Sequence, residues 1–475
     1  MPFSTENKHR YKAKINKIGD VIKMKAKCIG LLPLYIELYD RSGREKRNRM
    51  YDFYQKIVSK FEAQGFRVIT SDFCRLRSEF EETIANFEAE GADALITLHM
   101  AYSPSLESID ALCATKLPII VLDTTETLEF TNEQDSREIT YNHGIHGVMD
   151  MCSMLKRRGK PYAILAGYYE ESGYIERACG YVRAASVLKA LNGAHVGLIG
   201  GSFDGMGDFC VEPSELKERF GICVEDVDPD IWKTYYKYIS DQMLQSELEE
   251  NRARFQNNEE LSQSDYENAV KNCLALRQFL QQNQYTAFSI NFRNVREIPF
   301  IECCKAMERG IGYAGEGDGL TSAFAGAIMS AYPNTSFVEI FCPDWKNDTL
   351  FLSHMGEVNY RITKGKLVLC KKGGFVDTYA AYAPMMGGKG VYMNISRGKD
   401  NYQMFLSSAD MLEYPTDNFE KYVRGWMKPS QMTTAEFLEA HSKHGATHHS
   451  IFVYDATVEE LSFLGQLLGM DVVSL

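Results

Sequence analysis

ADALITLHMAYSPSLESIDALCATKLPIIVLD, residues 92–123, holds the architecture of the first part of the chain in miniature. Its two apolar runs, ADALITLHM at 92–100 and LPIIVLD at 117–123, each have the length of a buried strand. The stretch between them is long enough for a crossover that brings the second strand back parallel to the first. Outward from this unit the pattern repeats. KCIGLLPLY (27–35) and GFRVIT (65–70) precede it, PYAILAGYY (161–169) follows, and helix-like stretches lie between. Such alternation predicts an open, doubly wound α/β domain with a parallel sheet over residues 27–165.

The alternation then restarts. YIERACGYVRAASVLKAL (174–191) has helical spacing, and AHVGLIGG (194–201) is a strand running into glycines. Residues 230–283 are polar, rich in Glu, Gln and Asn, and read as a helical excursion before the strand YTAFSINF (285–292). A second α/β domain is expected over residues 166–310. The glycines of GLIGGSFDGMGD (197–208) do not fall on GxGxxG, and Asp204 would oppose a pyrophosphate. That stretch reads as a strand-to-loop turn, and no nucleotide cofactor is expected. From residue 311 the strand-like segments TSFVEIFCPDW, TLFLSHMGEVNYRI, KLVLCKKGGF, TYAAYAPM and GVYMNISR follow one another without long helices between them. They predict a β-rich, mainly antiparallel C-terminal domain over 311–475, with helices returning at 433–441 and 457–469.

The chain of 475 residues carries 52 Lys and Arg against 64 Asp and Glu, a formal net charge of −12. Binding to nucleic acid through broad phosphate neutralisation is thereby excluded. No run approaches the roughly 20 apolar residues that cross a bilayer. The start, MPFSTENKHRYKAKINKIGD, lacks the apolar stretch of a secretory signal, and residues 1–26 read as a basic extension. Twelve cysteines without CxxC pairs point to reduced thiols in the cytoplasm.

Four stretches with polar residues stand out in or beside the third domain. GYAGEGDGLTSAF (312–324) places Glu316 and Asp318 among glycines, Glu339 interrupts SFVEIF (336–341), His354 interrupts LFLSHMGEV (350–358), and His448 and His449 of GATHHS (445–450) precede IFVYD. A carboxylate between Val338 and Ile340 is costly unless it faces water or has a partner. Neighbouring strand residues point to opposite faces, so one histidine of the pair is expected to look into a given site. Two carboxylates and two imidazoles make a mixed oxygen and nitrogen set for a divalent ion such as Mn²⁺. A structural zinc site takes more sulfur or a closed tetrahedral set. Open positions on such an ion accept a substrate hydroxyl and carbonyl and acidify the adjacent C–H, and glutamates can move the proton. Taken singly, the same residues also suit a loop carboxylate, a solvated strand face and hydrogen-bonded core histidines.

At these residues the sequence resembles the L-arabinose isomerase family, within the wider L-arabinose and L-fucose isomerase group. The strongest stretch is FLQQNQYTAFSINFRNV (279–295) with PFIECCKAMERGIGYAGEGDGLTSAF (299–324), followed in order by SFVEIF, LFLSHMGEV and GATHHS. Weaker echoes are LHMAYSPS (98–105), NHGIHG (142–147) and RAASVLKALNGAHVG (183–197). The resemblance implies that Glu316, Glu339, His354 and His449 ligate Mn²⁺ or another divalent cation, the family using the second histidine of the pair. Glu316 and Glu339 are then also the acid/base pair of an aldose–ketose isomerase. Its reaction is L-arabinose to L-ribulose, or a related sugar, through a metal-bound enediol and without nicotinamide or flavin. It further implies a cytoplasmic homo-oligomer, usually a hexamer. In it the neighbour's N-terminal domain completes the site as a lid, with His143 or His146 contributing.

Several places depart from the family pattern. Its SQHLYG-like turn reads PLYIELYD (33–40), with Tyr35 and Glu37 and no glutamine; HTQFN reads DTTETLEF (123–130); GDWKT reads GDGLT (317–321). The reaction type therefore carries over further than the sugar. Phe292, Tyr35, Glu37 and His448 are the candidate substrate contacts. The alternatives are a non-catalytic sugar-binding or regulatory paralogue and an epimerase using the same metal site.

Overall fold

The computed structural model describes residues 27–42, 46–257, 261–373 and 378–475; the basic stretch 1–26 lies outside them. The apolar runs of the first domain form β1 (Cys28–Leu34), β2 (Arg67–Ile69), β3 (Ala94–His99), β4 (Ile119–Asp123) and β5 (Tyr162–Ala166). They make one parallel sheet of order β2-β1-β3-β4-β5. Every residue of β1 and β3 is buried, as expected of parallel strands covered on both faces. Alternation along β3 divides its side chains between two cores. Ile96 and Leu98 face one, and Leu95 faces the other.

At the carboxyl end of β3, His99 is 4% exposed, and neither ring nitrogen has a hydrogen-bond partner. The helix Ile145–Arg157 begins directly over this ring: a Cβ on Gly147 would lie 2.3 Å from His99 Cδ2. Burial lowers the His99 pKa from 6.5 to about 3. Below about pH 6.5 the unfolded chain takes a proton that the folded chain refuses, so stability falls by about 1.4 kcal/mol per pH unit until the folded value is reached. Denaturant titrations from pH 7 to pH 4 should show this loss, and His99→Gln should flatten it. An unchanged slope in the variant would assign the acid sensitivity elsewhere.

The second parallel sheet contains β6 (His195–Ile199) and β7 (Cys223–Val227). After β8 (Phe255–Asn257), which leaves this sheet, come β9 (Ala287–Ile290) and β10 (Gly312–Gly315), giving the order β10-β9-β6-β7. β7, with the sequence CVEDV, is an edge strand with no fully buried residue, and so it lacks the apolar run that would mark it in the sequence. The polar excursion forms the helices Asp241–Arg254 and Gln263–Gln282.

The C-terminal part contributes β11 (Thr335–Asp344), β12 (Thr349–Ser353), β13 (Leu367–Lys372), β14 (Thr378–Tyr382), β15 (Gly388–Arg397), β16 (Tyr402–Leu412), β17 (Gly425–Pro429), β18 (His449–Tyr454) and β19 (Asp471–Ser474). β13 pairs with β14 and, in parallel, with β8. Six others close into an antiparallel barrel, β15-β18-β11-β12-β17-β16 and back to β15, and β19 adds in parallel to β16. Closure removes the exposed edges that an open antiparallel sheet would leave. The barrel and the second sheet share one continuous apolar core. The helix Gly319–Met329, GLTSAFAGAIM, lies within it with every residue buried, consistent with a sequence small or apolar all round.

Candidate metal centre

The site forms where the second sheet meets the barrel. β10 ends at Gly315, and the chain turns into the buried helix through Glu316, Gly317 and Asp318. Glu316 takes a left-handed φ of 64°, a conformation that L side chains rarely adopt. Its backbone is held at both polar groups: the N–H donates to Ile290 O at 3.2 Å, and the carbonyl accepts from Phe203 N at 2.9 Å. Gly317 has φ +84°, and a Cβ there would lie 2.4 Å from Gly201 O, so only glycine fits. Asp318 Oδ1 caps the helix by accepting from Thr321 N at 2.8 Å. The glycine-rich stretch thus aims a single carboxylate out of the sheet.

The barrel supplies the other side. Glu339 on β11 stands in register with Ser353 on β12 and His449 on β18. His354 directly follows β12, close enough to β10 that a Cβ on Gly315 would lie 2.6 Å from its Cε1. His354 Nε2 is 3.5 Å from Glu339 Oε2, and His449 Nε2 is 3.9 Å from Glu316 Oε2. His448 Nε2 is 3.5 Å from Glu316 Oε2. Among the described residues, two groups place their ligand atoms within 4.8 Å of one another. They are Glu316, His448 and His449, and Glu339, His354 and His449, with His449 common to both. Glu316 Oε2 and His449 Nε2 are buried without a hydrogen-bond partner. Buried lone pairs of this kind call for a partner, and a divalent cation satisfies both at once.

The rear nitrogen of each histidine meets a carboxylate. His354 Nδ1 lies 2.6 Å from Glu357 Oε2, His449 Nδ1 lies 3.0 Å from Asp318 Oδ2, and His448 Nδ1 lies 2.6 Å from Asp208 Oδ2. An ionised carboxylate only accepts, so Nδ1 donates and Nε2 faces the centre. Glu357 also accepts from the Tyr313 hydroxyl at 2.7 Å and from Gly356 N at 2.8 Å, which fixes it in turn.

The two glutamates differ in proton affinity. Burial would raise Glu316, but the imidazoles of His448, His354 and His449 outweigh it and hold the carboxyl below its usual range. At Glu339 burial dominates and the pKa rises. Burial opposes charge on His354, yet Glu357 and then Glu339 and Glu316 raise it. Burial likewise opposes charge on His448, while Asp208 and Glu316 push it up to about 10, and Asp208 itself falls to about 2.

The four expected ligands therefore lie together, and His448 joins them. The strand-alternation expectation for the histidine pair does not hold. β18 begins only at His449, so His448 lies outside the pleat, and both rings, 4.3 Å apart, approach Glu316. Glu357 and Asp208 carried no assignment in the sequence; the carboxylate three residues after His354 was the available signal for Glu357. Phe292 is partly buried, 5.4 Å from the ring of Phe203. Tyr35 is buried in the first domain's own core, and Glu37 is exposed on the following 3-10 turn. His143 Nε2 lies 2.7 Å from the Tyr39 hydroxyl, and His146 packs against Tyr102.

Comparison with known proteins covers the same ground. The profile of the L-arabinose isomerase central domain matches residues 213–332, and that of the L-arabinose isomerase C-terminal domain matches 334–471. L-arabinose isomerase of Erwinia tasmaniensis is 24% identical over 417 residues, covering 82% of this chain and 81% of that protein. The Herpetosiphon aurantiacus enzyme is 23% identical over 82% of this chain and 81% of its own length. L-arabinose isomerase 1 of Bacillus licheniformis is 22% identical over 86% and 85%. With two consecutive family domains running through the buried helix and the barrel that build this centre, the chain belongs to the L-arabinose isomerase family.

Proposed function

We propose that this chain is an aldose–ketose isomerase in which Glu316, Glu339, His354 and His449 hold a divalent cation, Mn²⁺ in the first instance. L-Arabinose to L-ribulose is the default conversion. The observation that carries the reading is the convergence of two glutamates and two histidines whose ligand atoms include the buried, unpartnered Glu316 Oε2 and His449 Nε2. A bound cation polarises the substrate's carbonyl and the neighbouring hydroxyl. One of the two glutamates takes the proton from C2 of the open-chain aldose, and the other delivers one to O1 and produces the enediol. Return of the first proton to C1, with loss of the O2 proton to the other glutamate, completes the ketose. The redox change is internal to the sugar, so no nicotinamide or flavin takes part. Phe292 and His448 wall the sugar. Glu37, exposed on the turn after β1, reaches it from the first domain of a neighbouring copy in a cytoplasmic hexamer, whereas Tyr35 stays in its own domain's core; the exposed Leu106, Leu128, Phe130 and Met149 on that domain are in keeping with such packing.

The test is to strip the protein with chelator, restore Mn²⁺ and follow L-arabinose, D-galactose, L-fucose and D-arabinose by NMR. Ketose formed only with metal supports the reading. An epimer of the aldose would make the chain an epimerase. Bound metal without turnover of any sugar would favour a sugar-binding paralogue. Failure to bind metal would overturn the site itself. Glu357→Gln keeps an acceptor for Tyr313 but removes the charge behind His354. Calorimetry should show Mn²⁺ binding weakened about 10–100-fold.

A further inference from the structure

We propose that the glycine-bearing loop after β6, residues 200–210, is the second sheet's arm of the ion site, and that Asp208 is a positioning residue coupling ion binding to the seating of this loop through His448. The inference rests on the isomerase reading for the identity of the ion.

The loop is exposed from Asp204 to Asp208 and again at Cys210, yet Phe209 between them is only 3% exposed. Phe209 stacks on His449, with ring centroids 4.8 Å apart and planes 8° from parallel, and it lies 5.5 Å from the ring of His448. Asp208 Oδ2 accepts twice from His448, from the backbone N at 3.0 Å and from Nδ1 at 2.6 Å. Earlier in the loop, Phe203 N donates to Glu316 O at 2.9 Å and Ser202 Oγ donates to Gly317 O at 2.9 Å. One loop thus grips both the Glu316 turn and the histidine pair. These are the two halves of the ligand group Glu316, His448 and His449.

The three carboxylate–histidine pairs are built alike but not equally fixed. Glu357 and Asp318 are buried behind His354 and His449, whereas Asp208 and His448 are 39% and 28% exposed at the side chain and depend on the loop. An ion held by Glu316, Glu339, His354 and His449 fixes the Glu316 turn and the His449 ring, which the loop contacts through Phe203, Ser202 and Phe209, and with them the Asp208–His448 pair. The coupling is reciprocal: what seats the loop tightens the ion, and the ion seats the loop.

The experiment uses the full chain with Mn²⁺ alone as probe. Hydrogen exchange of amides 203–210 and of His448 is measured with and without the ion. Mn²⁺ affinity is measured by calorimetry in the wild type and in Asp208→Ala, Phe209→Ala and Asp208→Glu. Mn²⁺ should slow exchange of the loop about tenfold. Asp208→Ala should bind Mn²⁺ about 10–100-fold more weakly at unchanged melting temperature, with Asp208→Glu recovering most of the loss; Phe209→Ala should weaken binding likewise and, as a buried aromatic truncation, also lower the melting temperature. Indifferent variants that remain folded, or loop exchange unaffected by the ion, would overturn this proposal and leave the isomerase reading standing. Absence of Mn²⁺ binding in the wild type would overturn both. Exchange in the wild type decides the matter even if a variant fails to fold.

Discussion

Glu316→Gln and Glu339→Gln each lower kcat by at least about 10²–10⁴-fold, the contribution of a positioned acid or base, with any loss of metal added to it. Glutamine preserves side-chain shape and one acceptor oxygen, so the fold should tolerate it. Glu316 Oε2 has no hydrogen-bond partner to lose, and Glu339 faces His354 at 3.5 Å. The measurement is turnover at saturating Mn²⁺, with bound metal determined for each variant, so that loss of proton transfer is separated from loss of the ion. Near-normal turnover of any aldose by either variant would remove that glutamate from the chemistry.

Arg277→Met destabilises the protein by about 3–5 kcal/mol, because it strands buried charge. Arg277 Nη2 lies 2.7 Å from Glu247 Oε1 and 2.8 Å from Glu302 Oε2; Glu302 is 0% exposed and Glu247 5%. Lys305, itself buried, shares Glu247 at 2.7 Å, and Arg309 shares Glu302. These partners retain part of the compensation, but neither replaces a guanidinium that bridges both carboxylates. Urea denaturation of the wild type and of Arg277→Met gives the difference directly. A loss under about 1 kcal/mol would mean that the network behaves like exposed ion pairs.

Much of the fold was legible because burial on both faces of a parallel sheet writes itself as continuous apolar runs. The inner strands of the first sheet, β1, β3 and β4, lie where such runs occur, and β6 and β9 follow the same rule; the edge strands β2 and β5 are only partly buried. β7 escaped because its edge position leaves Glu225 and Asp226 exposed. The excursion at 230–283 was read as helical from its spacing. Its polar residues close over the Arg277 network, and pairings between distant helices leave no local mark in the sequence.

The local sequence of this protein determined most of its strands, the stretch that turns on glycines and the candidate ligands. Those properties follow from side-chain type and near-neighbour spacing. Only the tertiary structure decided that the antiparallel strands close into a barrel, so that Glu339, His354 and His449 converge. It also placed β10 against that barrel, so that Glu316 completes the group. Asp208 behind His448 is the clearest case: the two are separated by 240 residues and meet because a loop of the parallel sheet lies over the end of β18. Chain neighbours set propensity, but a ligand group is a set of distances, and those distances exist only once the second sheet and the barrel share one core.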